Sequence, residues 1–509
     1  MRGGLTRSAA RGATWFGISQ ALNQGLRFIS MIVLARLLFP EDFGVVAMAT
    51  IVTELALQTI GLGFGDAIIQ RKKVTASHLS TAFWSGLALG IVFCGVTVAI
   101  SPLVADFFGN ELVGPVLAVS SLAFVIAPLR SIHGTLLMKR LEFFRFSIGE
   151  IGQAVTYVAV AVSMAFAGFG VWSIVLGNLA GQLALVILGW VLCRWHPSIM
   201  FSLKSLRDLW GFGSKVVGNK AVNFLSQRLG YFILGTYLSA AVLGFYDLGY
   251  RTANSSRTWL SMAVRRVSFP VFSAVQDEDE RLRRGFLKSV TFTSLIAAPL
   301  FTGLAIVGPE LVKVVFGDKW IPAVSPMQIL CIPMGIAMMK VMVPSLFLAK
   351  GRPDIDLKLN IAGVALLVPS LLIGVRFGMV GVAVGVSVVG AILWPASLAF
   401  VRRLIGVRIR DYLVALRPAV VGSAVMAMTL LAFRYAAASL PDVGLLISSV
   451  LLGAITYYVA LKVARVQALG EMIGLVLEMV RPYARALLAK MPFFRKAAPH
   501  DIEAAREVR

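Results

Sequence analysis

The stretch VWSIVLGNLAGQLALVILGWVL, Val171–Leu192, runs from end to end without a charged residue. At 1.5 Å of rise per residue, a helix of this length crosses roughly 30 Å of hydrocarbon. Comparable apolar runs recur at Leu87–Pro102, Ile151–Ala167, Ile361–Val375 and Leu445–Leu461. The 509 residues are 58% hydrophobic and 14% charged, with a mean hydropathy of +0.83. A soluble domain carries about 25% charged residues. The composition therefore selects a lipid solvent and an all-α polytopic membrane protein, because helices satisfy their own backbone groups where water is absent.

The first apolar segment, 13–38, follows Arg2, Arg7 and Arg11, like the start of a signal peptide. It is too long for one, carries Gln20, Asn23, Gln24 and Arg27, and has no small-residue cleavage site after it, so it reads as a retained helix. The cysteines, Cys94, Cys193 and Cys331, lie far apart in apolar runs and offer neither a disulfide framework nor a metal pair.

A net charge of +23 suggests nucleic acid in a soluble chain. Here the positions decide otherwise. Basic residues collect in every second loop, as in Arg71–Lys73, Lys139–Arg145, Arg194–Arg207, Arg281–Arg284, Lys350–Lys358 and Arg402–Arg410. Alternate loops hold Glu41 and Asp42, Asp106 and Glu111, Glu310 and Asp318, and Asp442. This is the positive-inside pattern, which predicts about 14 transmembrane helices, both termini in the cytoplasm and no nucleic-acid partner.

The halves resemble each other. Asn23 pairs with Asn223, Leu38 with Leu238 and Gly44 with Gly244 at one offset. Phe108–Gly109 pairs with Phe316–Gly317, and Phe169–Gly170 with Phe377–Gly378, at a slightly larger one. Six spans separate the copies, and an even number preserves orientation, so the repeat is parallel. The expected division is a six-helix lobe over 1–193, a cytoplasmic connection over 194–215, a second six-helix lobe over 212–403, two further helices over 404–463, and a cytoplasmic tail over 464–509.

Polar residues inside spans are informative, because an Arg at mid-bilayer costs about 2.5–3.5 kcal/mol on insertion scales. The first span carries Asn23, Gln24 and Arg27 on one face; the seventh carries Asn223 and Arg228. Glu54 lies in the second span, Arg251 and Asn254 in the eighth, and Arg130 and His133 in the fourth. Together they predict a hydrated, net-positive cavity between the halves. Such a cavity suits an anionic ligand such as a diphosphate, to whose oxygens Arg offers several donors. The bland alternative is helix-to-helix hydrogen bonding and snorkelling. It leads for the Asn, Gln and Ser positions, whereas ligand binding leads for Arg27, Arg251 and Arg130 stand level, and packing accounts for His133. Glu54 is the one evident internal partner for Arg27. No HExxH, GxSxG or Walker sequence occurs, so neither a catalytic centre, a metal nor a cofactor is expected.

Four motifs carry a family resemblance. Residues 36–44, RLLFPEDFG, resemble the LxPxxFG turn of polysaccharide exporters, and residues 139–145, KRLEFFR, resemble their RxLxFxR loop. Phe269-Pro270 before the acidic run, and residues 315–320, VFGDKW, similar to an FGxxW loop, complete the order. The chain thus resembles the polysaccharide-transport branch, including Wzx-type exporters, of the multidrug/oligosaccharidyl-lipid/polysaccharide flippases. That resemblance implies two six-helix lobes in a V, a central cationic cavity and alternating access in the bacterial inner membrane. It implies an undecaprenyl-diphosphate-linked oligosaccharide as cargo, with membrane lipids and polysaccharide polymerase or assembly proteins as further partners. Related lipid II flippases use first-helix arginines for the diphosphate, where Arg27 stands, and lay the lipid tail near the last two helices. The competing readings are a multidrug antiporter, which wants a carboxylate-rich cavity, and a membrane glycosyltransferase or polymerase, which wants a large external loop.

Overall fold

The computed structural model describes residues 2–61, 63–274, 278–437, 439–466, 468–471 and 474. The side chains of residues 2–16, 18, 212–223, 225, 259–260, 262–271 and 273–274 lie outside that description. Eighteen α-helices follow in order among the described residues. They are α1 (Arg2–Leu37), α2 (Pro40–Ile60), α3 (Phe64–Gln70), α4 (Ala76–Phe108), α5 (Val113–Ser120) and α6 (Ala123–Lys139). Next come α7 (Phe143–Phe166), α8 (Val171–Cys193), α9 (Leu203–Tyr237), α10 (Ala240–Ala274), α11 (Asp279–Ile306) and α12 (Gly308–Val315). The last are α13 (Val324–Met339), α14 (Val343–Ala349), α15 (Pro353–Gly374), α16 (Gly378–Ile405), α17 (Ile409–Ala436) and α18 (Asp442–Val463).

Ten stretches are long and apolar enough to cross a membrane, and one of them, Pro353–Ile405, holds both α15 and α16. The helices α1, α9 and α10, which carry the polar stripes, bring the crossings among the described residues to about fourteen. The chain is an all-α, multi-pass membrane protein. Two expected single helices are broken. The fourth crossing turns at Ser121–Leu122 between α5 and α6, and the tenth at Lys340–Met342 between α13 and α14. The connection expected over 194–215 is shorter, because Ser202 caps α9 through its hydroxyl and the helix starts at Leu203. The expected tail falls almost wholly outside the described residues.

Packing repeats between the halves. α1 lies on α7, α7 on α8, α4 on α6 and α6 on α8; the same four pairings recur as α9 on α15, α15 on α16, α11 on α13 and α13 on α16. The repeated Gly109 and Gly317 both take positive φ, +61° and +101°, at equivalent turns. Helices α2 and α10 meet across the two halves, while α17 packs on α11, and α18 on α17 and α12. Arg434 of α17 ties that extra pair down, with Nη2 donating to Glu310 of α12 at 2.7 Å.

Two of the sequence motifs turn out to be a single device. The turn between α1 and α2 is clasped by the segment after α12. Trp320 is fully buried, edge-on to Phe43 at 5.2 Å and to Phe245 at 6.0 Å. Its indole N–H donates to the Ala35 carbonyl at 2.7 Å. Lys319 Nζ donates to the carbonyls of Arg36 at 2.9 Å and Leu38 at 2.6 Å. The Arg36 guanidinium returns the contact, to the carbonyls of Val314 and Val315. These carbonyls end α1 and α12, where intrahelical partners run out, and cations suit helix C-termini. At the other end of the bundle, Lys139 of the KRLEFFR motif likewise donates to the carbonyls of Ile68 and Arg71 at the close of α3, both at 2.5 Å.

Candidate functional site

The cavity lies below the clasp. It has two adjoining chambers of ≈ 380 and ≈ 480 Å³, both lined by Arg27, Thr50, Glu54, Gln153 and Asn178. Gln24, Tyr157, Asp247 and Arg251 belong to the first chamber; Arg130 and Gln182 to the second. A further recess of ≈ 300 Å³ opens behind Arg130 and includes Glu150.

Charges here fall into bonded and unbonded sets. The Arg228 fork grips both Glu54 oxygens, Nε to Oε2 at 2.9 Å and Nη2 to Oε1 at 2.7 Å, with its guanidinium 4.9 Å from the centre of the Tyr231 ring. Arg251 Nε donates to Asp247 Oδ2 at 2.6 Å one turn away on α10. Arg27 and Arg130 form no ion pair with a described residue. Arg27 Nε donates only to the Asn23 side-chain oxygen, at 3.0 Å, leaving the outer face of its fork open to the chamber. Four arginines face three carboxylates across the site, counting Glu150, so it is net positive.

Of the residues singled out from sequence, Arg27, Gln24, Glu54, Arg130 and Arg251 line the cavity. Three others turn to protein partners instead. Asn23 is buried, orienting Arg27 and donating to the Glu150 carbonyl at 3.4 Å. Arg228 is spent on Glu54, so the alternative Arg27–Glu54 pair is not formed. The reason is geometric: α2 packs on α9, which brings Arg228 to Glu54, while Asn23 holds Arg27 on its own helix. Asn254 accepts from Arg257 Nε at 2.9 Å. The side chain of Asn223 lies outside the described residues. His133 is core: buried, Nε2 3.1 Å from the Trp195 carbonyl, its ring 4.9 Å from Trp190.

Sequence reasoning passed over Gln153 and Tyr157 on α7 and Asn178 and Gln182 on α8. The available signal was the carboxamides themselves, which stand inside apolar spans and are four residues apart on α8. No group of three or more His, Cys, Asp or Glu able to hold a metal gathers among the described residues.

The profile of the family described as "Polysaccharide biosynthesis protein" matches residues 33–325. The lipopolysaccharide biosynthesis protein WzxC of Escherichia coli (strain K12) is 30% identical over 419 residues, 81% of this chain and 85% of that one. The teichuronic acid biosynthesis protein TuaB of Bacillus subtilis (strain 168) is 29% identical over 69% of this chain and 73% of its own. Among solved structures, the lipid II flippase MurJ in an inward closed conformation superposes with a TM-score of 0.70 over 87% of this chain and 97% of that one. At 12% identity, that likeness concerns the fold alone. With the family profile covering more than half of its length, and WzxC most of it, this chain belongs to the polysaccharide biosynthesis protein family and is a membrane transporter rather than an enzyme.

Proposed function

We propose that this protein is an inner-membrane flippase that carries an undecaprenyl-diphosphate-linked oligosaccharide from the cytoplasmic to the periplasmic leaflet, by alternating access between lobes 1–193 and 212–403. The observation that carries the reading is the unequal pairing of charge inside the cavity. Glu54 and Asp247 are each bridged by an arginine, whereas Arg27 presents a guanidinium with no carboxylate against it. A charge is stable at this depth only when water, a counter-charge or a ligand receives it, and a diphosphate supplies both charge and acceptors. A cation-expelling antiporter would need a free carboxylate in the chambers, where Glu54 and Asp247 are both bridged; the third carboxylate, Glu150, lies in the recess behind Arg130.

Basic loops place both termini in the cytoplasm, so the clasp around Trp320 lies on the periplasmic side and closes the cavity there. Release then requires the clasp to part, and the product passes to polymerase and assembly proteins. The names of WzxC and TuaB, a lipopolysaccharide and a teichuronic acid biosynthesis protein, support a polysaccharide cargo.

The test is complementation of surface polysaccharide in a strain lacking the gene, with protein levels checked by blot. Arg27→Ala should abolish export at normal protein level. Arg27→Lys should keep partial export, since it retains charge and loses the fork. Full export by Arg27→Ala would remove Arg27 from the diphosphate site.

A further inference from the structure

We propose that the α7–α8 hairpin carries a carbohydrate subsite, in which Gln153, Asn178 and Gln182 bind the sugar ring attached directly to the diphosphate. The proposal rests on the diphosphate reading above and adds to it a specificity-determining surface.

The hairpin is built for rigidity. Gly177 and Gly181, four residues apart on α8, let that helix close on α7. A methyl group at Gly177 would stand 2.7 Å from Ala161 Cβ, and one at Gly181 would stand 2.9 Å from the Gln153 carbonyl oxygen. Small residues at this spacing are how membrane helices reach close contact. Contact at Gly181 sets α8 against the turn of α7 that bears Gln153 and Tyr157, so the amides of both helices face one chamber.

Those amides are unused. The side chains of Gln153, Asn178 and Gln182 make no hydrogen bond to a described residue, and their polar atoms are open to the cavity. An amide placed in a membrane span for helix adhesion is bonded across the helix pair. These three sit beside a close-packed seam without joining it. A carboxamide holds a carbonyl acceptor and an NH2 donor side by side. Adjacent hydroxyls of a pyranose, each both donor and acceptor, match that arrangement. Tyr157 on the same wall offers an aromatic body for the apolar face of a ring.

Charge is segregated in the way that a glycosyl diphosphate is. The unbridged cations Arg27 and Arg130 stand on α1 and α6, and the α7–α8 residues that line the chamber with them carry no charge, Glu150 of α7 lining the recess behind Arg130 instead. Chambers of ≈ 380 and ≈ 480 Å³ lie at the small end of ligand sites, which span about 300–1,000 Å³. They hold a ring or two beside the diphosphate, and the remainder of an oligosaccharide must project beyond the wall. Selection therefore acts on the sugar next to the phosphate.

The experiment measures dissociation constants of the purified protein in nanodiscs for two probes: farnesyl diphosphate, and farnesyl diphosphate bearing one hexose or N-acetylhexosamine from a small panel. The readout is the ratio of the two constants. At least one glycosylated probe should bind about tenfold more tightly than the bare one. Gln153→Met, Asn178→Leu and Gln182→Met should each cut that ratio about two- to tenfold, as loss of one or two neutral hydrogen bonds does. Where Asn178→Leu binds neither probe, Asn178→Ala takes its place. Arg27→Ala should weaken both probes and keep the ratio. A wild-type ratio of one for every sugar, or a ratio preserved in all amide variants, overturns the subsite. Undiminished binding of bare farnesyl diphosphate by Arg27→Ala overturns the diphosphate reading instead.

Discussion

Gly44 and Gly244 press their helices together in a reciprocal contact. A methyl group on Gly44 would stand 1.8 Å from the Ala240 carbonyl oxygen, and one on Gly244 would stand 1.9 Å from that of Pro40. Each glycine thus touches the first residue of the other's helix, at the same four-residue spacing. Such mutual contact, i on j and j on i, marks a two-fold relationship, here between α2 and α10 within one chain. Both helices begin at this point, so the axis runs between them along their common direction, as a parallel repeat requires.

The first prediction follows from that contact. Gly44→Ala or Gly244→Ala puts a methyl group about 1 Å closer to a carbonyl oxygen than real methyl groups come, so α2 and α10 must separate at this end. Spin labels at the exposed Phe39 and Ile321, on either side of the clasp, should report longer distances than in the parent protein. Export should fall while membrane insertion persists. Unchanged distance distributions would show that the close approach does not hold the clasp shut.

A second prediction concerns Glu54. Because its bidentate partner is Arg228, Glu54→Gln leaves a half-buried guanidinium without its counter-charge, and should cost about 1.5–3 kcal/mol of stability. Arg228→Gln in the same chain should recover part of that loss, and Arg27→Gln should recover none. Thermal unfolding in detergent across the double-mutant cycle reads the coupling. Coupling of Glu54 to Arg27 rather than to Arg228 would contradict the observed pairing.

Trp320 supplies a third. Trp320→Phe keeps most of the ring packing against Phe43 and Phe245 but strands the buried Ala35 carbonyl, a loss of about 1 kcal/mol. Trp320→Ala also opens a cavity, and should cost about 3–5 kcal/mol. The ranking, Ala well below Phe, is measurable by the same thermal unfolding. Equal stability of the two variants would mean that the site collapses around the missing ring.

Orientation is the fourth. With Cys94, Cys193 and Cys331 replaced by alanine, single cysteines at Glu111 and Asp318 should react with an impermeant maleimide added outside spheroplasts. Cysteines at Lys72 and Arg283 should react only after lysis. The opposite pattern at either pair would invert the assignment of the clasp to the periplasmic side.

Hydropathy and charge order were legible because each is local. A run such as Val171–Leu192 must cross the bilayer whatever its neighbours do, and loop charges orient it without reference to packing. The repeat was legible too, since Gly44 and Gly244 occupy matched positions in matched segments. Partners were not. Glu54 reads equally well as the mate of Arg27 or of any cation on a facing helix, and only the packing of α2 on α9 gives it to Arg228. Likewise the FG and Trp motif after α12 and the turn before α2 read as separate signatures, although they are the two sides of one clasp.

By itself, then, the sequence determined a helical membrane protein of about fourteen crossings with a parallel repeat and cations inside its spans. The tertiary structure alone decided which cations are neutralised, which amides are left open and where the halves touch. The physical reason is range. Span length, hydropathy and loop charge are properties of consecutive residues, whereas an ion pair such as Arg228–Glu54, at 2.7 Å, depends on how two distant helices are set against each other.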